Sequence, residues 1–172
     1  MKTFKTTLLT IAALLCSISV NAYFEVDGIR YNVTSQLDLE VEVTSKEMSY
    51  SGVVEIPENV TYNGNMYSVK SIGRKAFFSC RSLTGIIIPN TVTTIGGSAF
   101  SQCSKLTNVY IPNSVTSIGS SAFEFTNLTS VTIPNSVTSI ESYTFYSCIN
   151  LSDVNIPNSV VKIGSSAFKA CI

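Results

Sequence analysis

The chain has 172 residues, eleven basic and eleven acidic side chains, and neither histidine nor tryptophan. The absence of histidine excludes Ser-His-Asp and Cys-His nucleophilic sites, HExxH metal sites and an imidazole pH switch. A charged fraction of 13% with no net charge argues against nucleic-acid binding, which depends on many lysine and arginine contacts to phosphates. We therefore predict a protein that is not an enzyme, binds no nucleic acid, and has no cofactor or metal site.

Residues 1–22 have the features of a secretory signal peptide. Two lysines precede a mostly apolar run over residues 8–20, and small residues at positions 20 and 22 favour cleavage before Tyr23. The apolar run is too short for a membrane-spanning helix, which needs about 20 residues. A lipoprotein anchor at Cys16 is the weaker alternative, because Leu15 stands where a small residue is expected. The predicted location is therefore secreted or at the cell surface.

Residues 23–51 are predicted to form an N-terminal β-hairpin cap. Asp27-Gly28 lies between two short runs of β-forming residues, which is a strong hairpin signal. Residues 37–43 then alternate apolar and acidic side chains, as a strand with one face in water does. We expect these acidic side chains to keep the cap soluble and to blunt an exposed sheet edge.

A repeat governs residues 52–172. Every proline follows an isoleucine, and the last four prolines are 23, 22 and 23 residues apart. A period of about 20 to 29 residues is typical of a leucine-rich-repeat solenoid, in which each turn buries its apolar face against its neighbours. The turns share the pattern L-x-x-V-x-I-P-N-S-V-x-x-I-G-x-x-A-F-x-x-C. The five prolines are Pro57, Pro89, Pro112, Pro134 and Pro157.

The first interval between prolines is longer than the others, and its extra residues contain a second hairpin signal. Asn63-Gly64 lies between β-forming residues, and this pair favours a type I′ turn because both of its residues adopt positive φ. We predict a hairpin inserted at about residues 60–69.

Each part of the repeat predicts a local structure. The L-x-x-V-x-I segment predicts a short parallel strand, which proline ends because it lacks the N–H that the ladder needs. The V-x-x-I segment predicts a second short extended stretch, the following glycine predicts a turn, and Ser-Ser-Ala-Phe resembles an N-capped single helical turn. The predicted fold class is therefore α/β, a parallel sheet with single-turn helices. The repeat phenylalanines predict a stacked core and are Phe77, Phe100, Phe123, Phe145 and Phe168.

Cys80, Cys103, Cys148 and Cys171 share one position, three residues after the repeat phenylalanine. One interpretation is a ladder of buried free thiols, which behave as small apolar side chains. The other is a pair of disulfides between neighbouring turns, Cys80–Cys103 and Cys148–Cys171, because stacked strands and bridged cysteines have compatible separations of about 5 Å. The sequence leaves both open. The middle turn lacks this cysteine and is one residue shorter, and Phe125 is expected to fill the volume.

The repeated I-P-N-S-V-T-S-I-G-S-S-A-F-x-x-C motif resembles the BspA-like leucine-rich repeats, also called the Treponema pallidum type. The resemblance covers residues 52–172, and the hairpin region before them is similar to the leader that precedes such repeats. Known members of the family are secreted or surface proteins, and several are similar to adhesins that bind fibronectin or fibrinogen. The resemblance therefore implies adhesion or protein binding, and it assigns no catalytic residue.

The side chains that point outward from the strand segments form the candidate contact surface, with Tyr110 as its expected anchor. Four short strands project on the order of 300 Å², whereas a standard interface uses roughly 800 Å² per partner. Binding by many copies together is therefore expected. The residues of this surface are Gly85, Ile87, Asn108, Tyr110, Ser130, Thr132, Asp153 and Asn155.

The expected partner is a protein, such as an extracellular-matrix or cell-surface protein. One alternative is a carbohydrate-binding surface module, although the chain lacks tryptophan, the best stacking platform. Another is a non-binding structural fragment of a longer repeat protein. No polar cap follows the last repeat, so self-association through Val160, Ile163 and Phe168 is also predicted.

Overall fold

A computed structural model of the chain describes residues 23–46 and 49–171, and every regular element within these residues is a β-strand. The predicted signal peptide lies outside the described residues. The strands are β1 (Tyr23–Val26), β2 (Ile29–Ser35), β3 (Glu40–Thr44), β4 (Ser51–Glu55), β5 (Asn59–Tyr62), β6 (Asn65–Ile72), β7 (Ser82–Ile87), β8 (Thr94–Ile95), β9 (Ser117–Ile118), β10 (Ser130–Thr132), β11 (Ser139–Ile140), β12 (Asp153–Asn155) and β13 (Lys162–Ile163).

The N-terminal strands are continuous with a sheet of the solenoid. Strands β1, β2 and β3 pair antiparallel in sequence order, and β3 then pairs parallel with β6. Strands β5 and β6 form an antiparallel hairpin whose turn residues, Asn63 and Gly64, have φ angles of 49° and 78°. From β6 the same sheet continues through β8 to β9. The cap therefore covers one end of the solenoid by extending its hydrogen-bond ladder.

The acidic strand of the cap differs from its prediction in two ways. It begins at Glu40 rather than Leu37, because the positive φ of Leu39, 53°, interrupts the extended backbone, and Leu37 is 97% exposed. It is also an interior strand, since β2 and β6 pair with its two sides. One of its acidic side chains, Glu42, accepts a hydrogen bond from Asn32 Nδ2 at 3.0 Å. The expectation that these carboxylates blunt a sheet edge was wrong.

Five coils follow the cap, over residues 51–81, 82–104, 105–126, 127–149 and 150–171. A standard coil starts with a first strand, turns at Pro-Asn-Ser-Val, and continues into a two-residue second strand. In the turn of the third coil, Val115 N donates to Pro112 O at 3.0 Å, and in the first coil the β5–β6 hairpin replaces this turn. Each coil closes with a stretch around its repeat phenylalanine, which we call the phenylalanine segment (residues 73–80, 96–103, 119–126, 141–148 and 164–171).

The phenylalanine segments are not helical, so the prediction of single-turn helices and of an α/β class was wrong. In the first segment Lys75 and Ser79 have φ angles of 59° and 57°, and equivalent residues are left-handed in all five coils. A right-handed helix needs negative φ at every residue. The segment instead consists of successive tight turns, in which Ala76 N donates to Gly73 O at 3.2 Å and Cys80 N to Phe77 O at 3.1 Å.

Each of the first four phenylalanine segments is joined to the next coil by three backbone hydrogen bonds. Lys75, Phe77 and Ser79 donate their N–H groups to carbonyls of the second coil at 3.1, 2.8 and 2.9 Å. The same arrangement recurs at all four junctions between coils, always with donors in the earlier coil and acceptors in the later one. This pattern explains the left-handed residues, because they turn alternate N–H groups toward the same neighbour.

The repeat phenylalanines form the stacked core that the sequence predicted. Successive rings lie 5.1 to 5.5 Å apart between centroids, and their planes are within 8° of parallel. The first four rings are fully buried, and Phe168 in the last coil is partly buried. Offset stacking of this kind adds to the free energy gained by burying the rings.

The repeat glycines allow close packing of neighbouring coils, whereas the sequence predicted that they turn the chain. None of them has positive φ, so none is needed to turn the chain. A Cβ atom on Gly96 would lie 2.6 Å from Arg74 N, and one on Gly119 would lie 2.5 Å from Gly97 N. Glycine is required at these positions because the backbones of neighbouring coils approach too closely for a side chain.

Candidate functional site

The candidate surface is the outward side of the first strands, β4, β7, β10 and β12, together with the equivalent residues 106–111 of the third coil. We call it the strand face. Inward residues such as Leu106 and Val131 are buried in the core, and outward residues are exposed. All eight residues predicted for this surface point outward. Seven are exposed and Gly85 is partly exposed.

The predicted residues fall into separate groups. Gly85 and Ile87 lie on β7, in register with Val53 and Glu55 of β4. Ser130 and Thr132 lie on β10, in register with Asp153 and Asn155 of β12. Asn108 and Tyr110 lie between these two pairs of strands, and Tyr110 is 72% exposed.

The strand face is divided at the third coil. Residues 106–111 pair as a strand with neither β7 nor β10. Two backbone hydrogen bonds hold the start of this stretch to the fourth coil, from Asn127 N to Leu106 O and from Thr129 N to Thr107 O, both at 3.2 Å. Among the described residues, the backbone of residues 108–111 makes no hydrogen bond to a neighbouring coil. We call the opening between residues 108–111 and β10 the split.

The third coil is one residue shorter than the coils on either side of it, and its missing residue lies between Phe123 and Leu128, directly before β10. The deletion shortens the path from the phenylalanine segment to the next strand. Pairing is also lost between the second strands β9 and β11 at this junction. The phenylalanine segments still make their three bonds there, including Phe123 N to Thr144 O at 2.9 Å. The irregularity is therefore confined to the strand sides of the coils.

The split contains a cavity of about 410 Å³. Four of the predicted residues line it, namely Tyr110, Ser130, Thr132 and Asn155, and no lining side chain carries a charge. The lining also includes Asn113 and Asn135, which directly follow the prolines of their coils and are not among the predicted residues. A signal for them existed, because residues that directly follow parallel strands lie at one edge of the sheet. The full lining is Val109, Tyr110, Ile111, Asn113, Ser130, Val131, Thr132, Ile133, Pro134, Asn135, Asn155 and Pro157.

The repeat cysteines are free thiols in this structure. The Sγ atoms of Cys103, Cys148 and Cys171 donate to the carbonyl oxygens of the repeat phenylalanines one coil earlier, at 3.0 to 3.1 Å. Burial raises the pKa of the Cys103 thiol to about 12 and that of Cys148 to about 11. Such thiols are poor nucleophiles at neutral pH. The alternative of two disulfides stays a prediction, and a count of the free thiols tests it.

Thr126, rather than Phe125, occupies the cysteine position of the third coil. Thr126 is buried, and its hydroxyl donates to Phe123 O at 2.7 Å and lies 3.2 Å from the Sγ of Cys148. Phe125 has a φ of 55° and is 45% exposed, with its ring edge-on to Tyr146. The expectation that Phe125 fills the cysteine volume was wrong. The correct residue could be found from the sequence, since Thr126 also lies three residues after its phenylalanine.

Two further features of the described residues bear on other kinds of site. No group of three or more cysteine or acidic side chains is placed to hold a metal ion among them. The same part of the chain contains no helix of the length and apolar character that crossing a membrane requires.

Solved structures of leucine-rich repeat proteins match the chain. One from Bacteroides ovatus is 34% identical with a TM-score of 0.65, over 86% of this chain and 45% of that one. A leucine-rich cell surface protein from Faecalibacterium prausnitzii is 26% identical with a TM-score of 0.63, over 88% of this chain and 53% of that one. The chain thus spans about half the length of these two proteins. A leucine-rich repeat protein of T. pallidum, 23% identical over 87% of this chain and 89% of its own, shares the fold with a TM-score of 0.54.

The sequence itself matches a family model. Comparison with curated proteins finds no match. The model of the BspA type leucine rich repeat region matches residues 58–172 in six copies. These residues include the β5–β6 hairpin and everything that follows it in the chain. The chain belongs to the family of BspA-type leucine-rich repeat proteins.

Proposed function

We propose that this chain is a secreted or cell-surface module that binds protein partners through its strand face, with the split as the centre of contact. Leucine-rich repeats of this family are interaction surfaces in general, and solenoids of this fold are typically scaffolds rather than enzymes. The relative from F. prausnitzii is described as a cell surface protein. The proposed location also rests on the signal-peptide features of residues 1–22.

One observation carries the choice of surface. Tyr110 is 72% exposed beside a cavity whose lining is uncharged. Tyrosine is a typical anchor residue at protein interfaces, where its ring is buried and its hydroxyl bonds the partner. Because the strand face alone is small, we expect weak single contacts and adhesion that depends on many copies.

The direct test is binding of residues 23–172 to immobilised matrix proteins, with fibronectin and fibrinogen as the first candidates. We expect Tyr110→Ala to weaken binding about tenfold or more, as the loss of an anchor residue does. The control is Tyr143→Ala, which removes a 43% exposed tyrosine from a phenylalanine segment. Equal affinities of the wild type and Tyr110→Ala, or no binding to any matrix or cell-surface protein, would contradict the proposal. The second of these results would instead support a non-binding structural role.

A carbohydrate ligand is the second candidate, and the composition of the cavity favours it. Three asparagine side chains, Asn113, Asn135 and Asn155, line the cavity with Tyr110. Amide groups and an aromatic ring are suited to sugar hydroxyls and to the apolar face of a sugar ring. Binding on a glycan array that Tyr110→Ala abolishes, without binding to any matrix protein, would favour this candidate.

Self-association through the fifth coil is a further part of the proposal. Ile163 of this coil is exposed, as is Val161, while Val160 and Phe168 are partly buried. Exposed aliphatic side chains so close together favour contact with a second apolar surface. We expect light scattering of residues 23–172 to show a mass that rises with concentration, and a monomer at all concentrations would argue against it.

A further inference from the structure

We propose that the split binds an extended peptide segment of the partner protein, which adds as a strand between residues 108–111 and β10. This inference rests on the proposed protein-binding function and states how the partner is held. In strand addition, main-chain hydrogen bonds supply affinity, and alternate side chains supply specificity.

The backbone of β10 faces the split with unpaired groups. Ile133 N donates to Asn155 O of β12 at 3.0 Å, so the N–H of Ile133 points away from the split. Successive residues of a strand direct their backbone groups to opposite sides. The N–H and C=O of Thr132 therefore point into the split. Among the described residues no neighbouring coil pairs with this side of β10.

The opposite wall of the split is also unpaired. The backbone groups of residues 108–111 make no hydrogen bond to another coil within the described residues. Burial alternates along this stretch, from exposed Asn108 through partly buried Val109 to exposed Tyr110 and buried Ile111. The alternation is that of a strand, although no neighbouring strand is paired with it. Two strand edges that face one cavity are a template for a third strand.

The length of the split and its uncharged lining indicate the length and the charge of the peptide segment that fits it. Four extended residues, the length of 108–111, span about 13 Å, so the split accommodates about four residues of a partner strand. The lining is uncharged, and a charged side chain placed there would lose water without gaining a counter-charge. The expected segment is therefore uncharged. Its outward side chains contact Tyr110, its inward side chains contact Ile111, and its polar groups meet Asn113 and Asn135.

Sugar binding and strand addition differ in which groups of the split the ligand needs. It would use the ring of Tyr110 and the asparagine amides, but it would not depend on the backbone N–H of Thr132. Removal of that N–H by proline therefore separates the two kinds of ligand. Proline is tolerated in edge strands where the missing N–H faces away from the sheet.

The experiment uses residues 23–172 and a display library of random linear seven-residue peptides as the probe. We expect enrichment of uncharged, β-forming sequences. The affinity of a synthetic enriched peptide should fall about tenfold in Thr132→Pro, because one main-chain hydrogen bond is lost. The control Ser120→Pro introduces proline at the second position of a turn, where its φ fits, on a phenylalanine segment far from the cavity lining.

Two further measurements keep the test independent of any effect of proline on folding. Peptides N-methylated at single residues should lose affinity for the unaltered protein at the central positions. Hydrogen exchange at the amides of Thr132 and Ile111 should slow about tenfold or more when the peptide is bound, because Ile111 holds the repeat position of Ile133, whose N–H points to the next coil.

The results separate this inference from the proposed function. If Tyr110-dependent binding to matrix proteins persists while no peptide is enriched, or while Thr132→Pro and N-methylated peptides bind normally, strand addition is overturned and the protein-binding function stands. Sugar binding that Thr132→Pro leaves intact also overturns strand addition. If neither matrix proteins nor peptides bind, both proposals fail.

Discussion

The phenylalanine segments and the strand face respond differently to the same irregularity. At the junction of the third and fourth coils the phenylalanine segments keep all three backbone hydrogen bonds and a ring stack of 5.5 Å. On the strand face, pairing between residues 108–111 and β10 is lost and a cavity of about 410 Å³ is formed. At this junction the coils are therefore held together mainly by the phenylalanine segments, while the geometry of the strand face varies.

The largest expected effect comes from breaking the phenylalanine side. Phe123→Ala removes a fully buried ring that is stacked on Phe100 and Phe145. We expect a loss of about 3 to 5 kcal/mol in the free energy of unfolding, from lost burial and a residual cavity. Urea denaturation measures it. Tyr110→Ala on the strand face is the comparison, and its effect should stay within about 0.5 kcal/mol. Similar losses of unfolding free energy in both variants would show that the strand face stabilises the solenoid as much as the phenylalanine segments do.

The second expected effect is alkaline destabilisation through the buried thiols. The ordinary pKa of a cysteine thiol, 9.0, describes the unfolded chain, whereas the folded pKa values are about 12 for Cys103 and about 11 for Cys148. The unfolded chain therefore releases these protons first, and stability should fall as pH rises above about 9 until the folded pKa values are reached. Below pH 9 this contribution should be constant.

Urea midpoints at pH 7, 9 and 11 measure this effect, with Cys103→Ala as the variant that should show a shallower fall. Labelling without reductant adds a count of thiols. The denatured chain of residues 23–172 should react at four cysteines, and the native chain should react slowly at Cys103 and Cys148. Fewer than four free thiols after denaturation would support the disulfide alternative.

A third effect concerns the close approach of the coils. Gly96→Ala would place a Cβ 2.6 Å from the backbone of Arg74, and we expect a cost of about 1 to 3 kcal/mol because the coils must move apart. The neighbouring Gly97→Ala is the matched control, since its Cβ would lie 3.4 Å from Ser120 O. Thermal denaturation of the two variants compares them. Equal melting temperatures would mean that the coil spacing is not set by the glycine.

The smallest effect should come from the residue that replaces cysteine in the third coil. Thr126→Val keeps the shape of the side chain and removes the hydrogen bond to Phe123 O, for a cost of about 1 kcal/mol. Thr126→Cys restores the residue of the other coils and should cost less than Thr126→Val. Urea denaturation compares the free energies of unfolding of the two variants. If Thr126→Val is as stable as the wild type, the hydrogen bond to Phe123 O does not contribute to stability.

Much of the fold could be predicted because the repeat has a fixed period. The stacked phenylalanines, the strand-ending prolines and the turn at Asn63-Gly64 all follow from residue type and spacing. The left-handed residues could not be predicted in this way, because Lys75 and Ser79 are ordinary residues that no local rule places at positive φ. Their conformation is imposed by hydrogen bonds to the next coil, which a local motif does not contain.

The candidate site was only partly predictable. Alternation along the strands identified its outward side chains, including Tyr110 and Thr132. The split itself depends on pairing between coils, and the sequence shows only its origin, one residue missing before Leu128. The offset of three residues from the phenylalanine, which the cysteines share, also places Thr126 at the cysteine position of the irregular coil.

The one-way direction of the hydrogen bonds between phenylalanine segments gives the solenoid a chemical polarity. At every described junction the earlier coil donates and the later coil accepts. A surface that docked on the fifth coil through this ladder would have to offer carbonyl groups to Ser166, Phe168 and Ala170. Two copies meeting through their fifth coils would bring donors against donors. Any assembly that used this ladder would therefore be head-to-tail, a heterologous contact that grows into filaments or closes into rings rather than two-fold dimers.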